Sequence, residues 1–188
     1  MSDKFALDVV QAAELKYAFE RNGFTNADVK KMSSGDLLGR LLPVIRGNGE
    51  VNVIKHLIDL DGNPFVPDGW KVEEHRKGGQ LEWDPKRIQL YLSEHQKKGY
   101  IRGERLREEL ADKPTPNANL LDYLLAHPHL IPEEWKGKAI FFWGTIYRRS
   151  VGSLCVRCLY WLDSQWFWGY RWLGYGWNSN YPAALLAS

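Results

Sequence analysis

The chain has 188 residues and a mass of 21.8 kDa, enough to bury a hydrophobic core as one domain or as two small ones. Its hydrophobic fraction of 44% and charged fraction of 26% are those of a folded globular protein and argue against disorder along most of the chain. The net charge of +2 disfavours a broad polyanion-binding coat, and two cysteines are too few for a secreted disulfide scaffold.

The beginning of the sequence bears on where the protein works. MSDKFALDVVQ lacks the basic, apolar and small-residue segments of a secretion signal, and no apolar run approaches the roughly 18 residues that cross a bilayer. The scarcity of cysteine fits a reducing compartment. We therefore expect a cytoplasmic protein with no membrane partner.

The first third of the chain predicts helices. Apolar residues recur at helical spacing over residues 7–22, and Gly23 follows as a residue that tolerates a left-handed helix exit. Thr25 and Asp28 have the spacing of a capping box and predict a short second helix. A third helix ending at Gly47 is predicted by a stripe of five apolar residues, Leu37, Leu38, Leu41, Leu42 and Ile45. We expect the three helices to pack together.

The middle of the chain predicts short strands and further helices. Two segments rich in branched residues are separated by the turn-forming sequences DGNP and PDG, which predicts a β-hairpin or two short strands. Asp84 and Pro85 have the types that cap and open a helix. In chain order, the expected elements are strands at 51–60 and 70–77, a short strand at 81–83, a helix from 84 to about 99 and a helix from about 104 to 111.

After Pro116 the sequence predicts one helix and then a sheet. Asn119 can cap a helix that carries four leucines and that Pro128 terminates. Three strands follow at 139–149, 154–162 and 166–173, and their connections, SVGS and DSQ, are short enough for antiparallel hairpins. The predicted fold class is α+β, with a helix-rich portion and a short hairpin over residues 1–113, and a three-stranded antiparallel sheet backed by a helix over residues 117–188. The two portions could share one core.

Aromatic residues concentrate in the predicted sheet. Between Lys138 and Trp177 lie thirteen of the twenty-five aromatic residues, six of the nine tryptophans, and five basic residues against one acid, Asp163. This stretch has a local charge of +4, and the rest of the chain has a charge of −2. A polyanion would therefore prefer this stretch.

Strand alternation selects the candidate ligand-binding residues. Successive side chains point to opposite faces of a strand, and we expect the even-numbered positions to form core. The odd-numbered positions combine flat rings with guanidinium groups, and the candidates among them are Trp143, Tyr147, Arg149, Arg157, Trp161 and Arg171. A one-residue slip in the third strand would exchange its faces.

This combination of side chains suits single-stranded RNA or DNA, because rings stack on bases and arginine contacts phosphate. The leading hypothesis is a non-enzymatic nucleic-acid-binding protein with weak sequence selectivity and strong salt dependence. The alternative is a protein–protein interaction or assembly module that uses the tryptophan-rich sheet. An enzyme of unknown class is the third hypothesis. The purely structural interpretation is that the rings pack within the sheet and that the N-terminal helices cover the odd-numbered face.

No set of residues completes a catalytic or metal motif, so we predict no catalytic residue, no metal and no cofactor. Cys155 and Cys158 have the spacing of a metal knuckle, but a strand sends them to opposite faces, and we expect one buried sulfur and one exposed. The sequence HPH at 127–129 predicts a helix stop in which one histidine packs or caps and the other meets solvent. The sequence EEH at 73–75 has groups for acid/base chemistry, but neighbours on a strand point in opposite directions.

Seven segments from about Pro64 onward, about two-thirds of the chain, carry a resemblance: FVPDGW, VEEHRKGG, LYLSEHQKKG, NANLLDYLLAHPHLIPEEWKGK, IFFWGTIYRR, LCVRCLYW and PAALL. Together they resemble a family of uncharacterised bacterial proteins. The resemblance implies a bacterial cytoplasmic protein and supplies no activity, cofactor or catalytic residue. The family pattern has an acidic, glycine-containing turn after IFFWGTIYR, where this chain has the residues 148–152, RRSVG.

Overall fold

The computed structural model describes residues 6–34, 36–50 and 55–187. The chain divides into two compact units, with the boundary between residues 54 and 55. The proline-containing segment 114–116 lies inside the second unit, where the carbonyl of Pro116 accepts a hydrogen bond from the backbone of Gly144 at 3.0 Å.

The first unit contains the three predicted helices, α1 (Val9–Arg21), α2 (Asn26–Met32) and α3 (Leu37–Ile45). Gly23 and Gly47 follow α1 and α3 with φ of +72° and +73°, and Thr25 and Asp28 form the predicted capping box. No side chain among the described residues of this unit is buried. The apolar packing expected between these helices is therefore not found in that part of the chain.

The second unit contains eleven strands and three helices among its described residues, besides short 3-10 turns at Pro85–Arg87, Pro128–Leu130 and Glu133–Trp135. In chain order they are β1 (Leu57–Asp59), β2 (Trp70–His75), β3 (Gln80–Glu82), β4 (Ile88–Tyr91), α4 (Glu94–Lys98), β5 (Ile101–Arg102), α5 (Gly103–Glu109), α6 (Ala118–Ala126), β6 (Ala139–Phe141), β7 (Thr145–Arg149), β8 (Leu154–Leu162), β9 (Gln165–Trp172), β10 (Gly176–Trp177) and β11 (Ala183–Leu186).

The main sheet has seven strands in the order β2-β7-β8-β6-β11-β4, and β9 also pairs with β8. All pairs are antiparallel except β11 with β6. The α+β class is confirmed, but the three-stranded sheet is wrong. The predicted strands form the middle of a larger sheet, because β2 and β11 from distant parts of the sequence pair with β7 and β6, and β4 then pairs with β11.

The predicted strand 139–149 is interrupted at Gly144. Its two parts, β6 and β7, both pair with β8. A Cβ atom on Gly144 would lie 2.7 Å from the carbonyl oxygen of Thr115 and 2.8 Å from the backbone nitrogen of Asn117. Only glycine allows the sheet and the segment before α6 to approach this closely.

In the middle of the chain the two short strands are found, but the hairpin alternative and the long helix are wrong. β1 and β2 do not form a hairpin, since β1 pairs with β3 and β2 pairs with β7. The helix expected from 84 to 99 is limited to one 3-10 turn and the later α4, because β4 between them pairs with β11. Tertiary pairing has overridden the local helix signal. Residues 51–54 of the first predicted strand lie outside the described residues.

Two apolar cores cover opposite faces of the sheet. On one face, α6 buries Leu120, Leu121 and Leu124 against Leu159 and its neighbours. Asn117, and not the predicted Asn119, caps this helix, with its side chain accepting from the nitrogen of Asn119 at 3.1 Å. On the other face, Ile101 of β5 and the leucines Leu106 and Leu110 in and just after α5 pack against β6, β8 and β10.

Candidate ligand-binding groove

The register between β8 and β9 divides the six predicted ligand-binding residues between the two faces of the sheet. Arg157 lies opposite Tyr170, and Val156 lies opposite Arg171. Directly opposed residues of an antiparallel pair share a face. Arg171 is therefore on the other face from Arg157, and the faces of the third predicted strand are exchanged.

A two-residue turn causes this exchange. Asp163 and Ser164 have φ of +46° and +65°, both in the left-handed region that a type I′ turn requires. Leu162 consequently pairs with Gln165. The sequence prediction placed three residues, DSQ, in the connection, which would pair Leu162 with Trp166 and even-numbered positions with even-numbered ones. With a two-residue turn, odd-numbered positions of one strand pair with even-numbered positions of the other.

Four of the six predicted residues share the face that α6 covers, which we call the helix-covered face. They are Tyr147, Arg149, Arg157 and Trp161. Tyr147 and Arg157 are 0% and 1% exposed, so the exposure that the sequence analysis expected of these two side chains is not found. Burial raises the pKa of Tyr147, although Arg157 acts in the opposite direction.

Arg157 is enclosed by a carboxylate of α6 and by aromatic rings. Its guanidinium donates to both carboxylate oxygens of Asp122 on α6 and lies 4.6 Å from the ring centre of Trp168 and 5.1 Å from that of Phe65. Burial lowers its pKa, but hydrogen bonds to Asp122 and the charge of that carboxylate raise the pKa above its usual value overall. Arg157 therefore joins the sheet to the helix and does not reach a ligand from solvent.

Arg149 and Trp161 are partly exposed but already have partners. The Arg149 guanidinium lies between the rings of Trp70, Tyr170 and Trp172, at 5.1 to 5.8 Å from their centres. Trp161 contacts Trp166, and the ammonium group of Lys136 lies over the Trp161 ring, 3.9 Å from its centre. Lys136 therefore covers a face of the Trp161 ring that was expected to be open, and the Arg149 cation is already in contact with three rings.

Trp143 lies outside the strands and is 2% exposed. Its ring packs 4.8 Å from that of Trp177 in the core opposite α6. Its indole nitrogen has no hydrogen-bond partner among the described residues. Trp143 is consequently a core residue in this fold.

The sixth residue, Arg171, lies in an open groove of about 520 Å³ on the face opposite α6, which we call the aromatic groove. Its lining consists of Ala139, Phe141, Cys158, Tyr160, Trp168, Gly169, Tyr170, Arg171 and Tyr181. Tyr160, Arg171 and Tyr181 are partly exposed there, while Phe141 and Cys158 are buried beneath them. The groove therefore presents polar and aromatic groups above an apolar floor.

The backbone of a neighbouring turn holds the Arg171 guanidinium in place. Its Nε and Nη2 donate to the carbonyl of Gly176 at 3.0 and 2.5 Å, and its centre lies 4.2 Å from the ring centre of Tyr181. The other guanidinium N–H groups donate to no protein atom in the part of the chain that the structure describes. The planar cation is thus fixed in orientation and retains donors for an anionic group.

Gly169 opens the floor of the aromatic groove. A Cβ atom there would lie 3.0 Å from Tyr160 Cε1 and 3.4 Å from Cys158 Sγ. Tyr160 also stacks on Phe167, with ring centres 6.0 Å apart and planes at 29°. The missing side chain leaves one face of the Tyr160 ring accessible along the groove.

Sequence reasoning missed most of the groove. It assigned Tyr160 to the core because of its even number, and it placed Tyr181 in no element. The available signal was the turn, since assigning only Asp163 and Ser164 to the loop would have put Tyr160 and Arg171 on one face. Nothing local predicts that Tyr181 folds back over Arg171.

The residues considered for acid/base chemistry do not form one site. Glu73 accepts two hydrogen bonds from Arg148, which lower its pKa, while Glu74 pairs with Arg107. His75 Nδ1 lies 2.9 Å from Thr145 Oγ1, a buried hydroxyl that accepts from the first turn of α6. Each group has its own structural partner.

Cys155 and Cys158 are free thiols on opposite faces of β8, as expected, but both are buried. Both sheet faces are covered at these positions, so the expectation of one exposed sulfur is wrong. Burial raises the pKa of each thiol to about 12. A metal knuckle or redox pair is therefore unsupported.

Comparisons of the chain with protein-family models, curated proteins and solved structures gave no significant match. The resemblance to a bacterial family stays a prediction from the segments that carry it. Among the described residues, none of the helices combines the length and the apolar character needed to cross a bilayer.

Proposed function

We propose that this is a non-enzymatic binding protein that takes a short segment of single-stranded RNA or DNA in the aromatic groove. The observation that carries the proposal is Arg171, whose guanidinium is fixed beside Tyr181 with unused donors. Tyr160 supplies a second ring in the same groove, next to Gly169. A base would stack on a tyrosine ring while its phosphate accepts from Arg171.

The size and chemistry of the groove support this ligand class. A volume of about 520 Å³ is within the range of small-molecule sites and suits about one nucleotide. Stacking of a base on an aromatic ring contributes roughly 1 to 3 kcal/mol, independent of sequence. Charge-assisted bonds from arginine to phosphate add directional affinity. Weak selectivity between bases follows.

The charge around the groove supports contact with few phosphates. Arg171 lies in the groove, and the exposed Lys138 precedes the lining residue Ala139. Neutralising one or two phosphates of a single strand gives a slope of about −0.7 to −1.4 for the logarithm of affinity against the logarithm of salt. The expected salt dependence is therefore measurable, but weaker than the strong dependence predicted from the sequence.

Fluorescence anisotropy with short labelled single strands and duplexes, at low and rising salt, tests the proposal. Arg171→Ala should weaken single-strand binding about tenfold or more, because it removes a charge-assisted contact. Arg148→Ala is the matched control, since this arginine pairs with Glu73 outside the groove. Absence of binding at low salt, or equal losses in the two variants, would contradict the proposal.

A protein-interaction role is the second candidate, and the first unit favours it. Its described helices leave many large apolar side chains exposed, including Val9, Val10, Leu38 and Ile45 at 51% to 87%. Helices this short gain most of their stability from burying such a face. Light scattering of the full chain across protein concentration and salt tests this role, because apolar association persists as salt rises.

A further inference from the structure

Three histidines from two separate parts of the sequence meet in the second unit. His56 precedes β1, while His127 and His129 follow α6. Their ring centres are 5.7 Å apart for His56 and His127, 6.0 Å for His56 and His129, and 6.2 Å for His127 and His129. The ring planes are inclined by 66° to 70°, so the three rings form a nearly symmetric triangle without stacking.

Hydrogen bonds leave a ring nitrogen free on each histidine. His127 caps the end of α6, as predicted for one histidine of HPH, and its Nδ1 lies 2.9 Å from the carbonyl oxygen of Tyr123. In the neutral imidazole this Nδ1 carries the proton, because a carbonyl oxygen can only accept, and Nε2 keeps its lone pair. His56 Nδ1 lies 2.9 Å from the hydroxyl of Tyr123. His129 makes no hydrogen bond within the described part of the chain, and it is exposed.

This pattern is typical of metal-binding histidines, which usually hydrogen-bond through the nitrogen that does not coordinate. Tyr123 organises two of the rings at once, since it also stacks on His127 with 4.3 Å between ring centres. We propose that His56, His127 and His129 bind one divalent transition-metal ion, of the class of Zn²⁺, through three imidazole nitrogens. A fourth position would remain for water or a ligand.

Binding one ion requires the rings to move inward and to turn their free nitrogens toward it. A point equidistant from the three ring centres lies about 3.5 Å from each, and a Zn–N bond of about 2.0 to 2.1 Å places a metal about 3.2 Å from the centre of a ligating ring. As the side chains are arranged, no group of three or more His, Cys, Asp or Glu residues within the described part of the chain could hold a metal ion. His129, exposed and unbonded, can turn its ring toward the other two.

The ligand chemistry predicts selectivity. Three neutral imidazoles suit Zn²⁺, Co²⁺, Ni²⁺ and Cu²⁺, whereas Mg²⁺ and Ca²⁺ prefer oxygen ligands. None of the three histidines lines the aromatic groove. The metal site is thus independent of the proposed nucleic-acid function, and either can fail without the other.

Calorimetric titration of the chelator-treated full chain with Zn²⁺, and visible absorption on addition of Co²⁺, test the site. We expect one ion per chain, no heat with Mg²⁺, and at least tenfold weaker Zn²⁺ binding in His129→Ala. His95→Ala is the matched control, because His95 is exposed and contacts Glu109 away from the cluster. Zn²⁺ should raise the melting temperature of the wild type and of His95→Ala by the same amount, and that of His129→Ala by less.

Several results would overturn the site. They are absence of saturable Zn²⁺ binding, unchanged binding in His129→Ala, and equal loss in His95→Ala. The exposure of His129 makes misfolding of its variant unexpected, and far-ultraviolet circular dichroism checks this point. His56→Gln provides a second test from the other segment, and its Zn²⁺ affinity should also fall at least tenfold.

Discussion

Arg157 of β8 and Asp122 of α6 form a two-point ion pair between the sheet and the helix. Nη1 donates to Oδ2 at 2.9 Å and Nη2 donates to Oδ1 at 2.6 Å. The Arg157 side chain is 1% exposed and that of Asp122 is 31% exposed. The pair fixes the helix where the sequence analysis expected an open ligand contact.

Replacing Asp122 with Ala should destabilise the protein, because a buried guanidinium then lacks its counter-charge. Breaking a buried pair lowers the free energy of unfolding by about 3 to 5 kcal/mol. Because Asp122 is partly exposed, we expect a loss at the lower end, about 3 kcal/mol. Urea unfolding measures the change. Glu133→Ala removes the exposed pair with Lys136 and should change stability by less than about 1 kcal/mol. Equal losses in the two variants would mean that the Arg157 pair has no special role.

The two cysteines should resist thiol reagents in the folded protein. Burial raises the pKa of Cys155 and Cys158 from 9.0 to about 12, and the thiolate is the reactive form. Ellman's reagent should label both only after denaturation, whereas a cysteine introduced at the exposed Ser150 should react at once. Rapid labelling of the folded wild type would contradict this prediction.

The same pKa shifts predict how stability depends on pH. Between about pH 9 and pH 12 the folded state keeps the two thiol protons and the unfolded state loses them. The contribution of the buried thiols to the free energy of unfolding is therefore full below about pH 9. It is lost as the pH rises from about 9 to about 12. Urea midpoints across this range, compared with those of a Cys155→Ala and Cys158→Ala double variant, measure the effect. A wild-type loss no steeper than that of the double variant would count against it.

Ser164→Gly should stabilise the turn between β8 and β9. Ser164 has φ of +65°, which costs a non-glycine residue about 1 to 2 kcal/mol, while glycine costs about 0.5 to 1 kcal/mol in chain entropy. The expected gain is about 0.5 kcal/mol by thermal or urea unfolding. Ser153 does not have a left-handed backbone conformation, so Ser153→Gly should destabilise the protein. A loss of stability in Ser164→Gly would argue against the two-residue turn.

Gly169→Ala should weaken ligand binding by narrowing the aromatic groove. The new Cβ would lie 3.0 Å from Tyr160, so the tyrosine ring must shift. Single-strand affinity should fall roughly fivefold, about 1 kcal/mol. Gly174→Ala is the control, since its Cβ would meet only Glu104 Oε1, at 3.7 Å. Unchanged affinity in Gly169→Ala would place any nucleic acid elsewhere on the protein.

Local signals in the sequence predicted the elements that depend on neighbouring residues. The capping box of Thr25 and Asp28 and the glycine at 23 identified helices in the first unit. The run 154–162 identified β8 with its bounds. Such features depend on backbone hydrogen bonding and side-chain periodicity within a few residues, so they are readable without tertiary context.

The candidate site was predicted only in part. Arg171 belongs to the aromatic groove, as the concentration of aromatic and basic residues suggested, but Tyr160 and Tyr181 were not among its expected partners. One residue in the turn after Leu162 reversed the faces of β9. A register error of this size transfers every side chain to the other face, because strand alternation has a period of two.

Local patterns in the sequence were sufficient to predict the α+β class, the helices of the first unit and the strand segments that carry the aromatic residues. Tertiary structure alone decided that β4 and β11 extend the sheet, that α6 buries Arg157 and that His56 joins the HPH segment. Pairing of exposed strand edges and burial of a sheet face depend on segments that are far apart in the chain. No pattern within one segment records which distant segment will cover it.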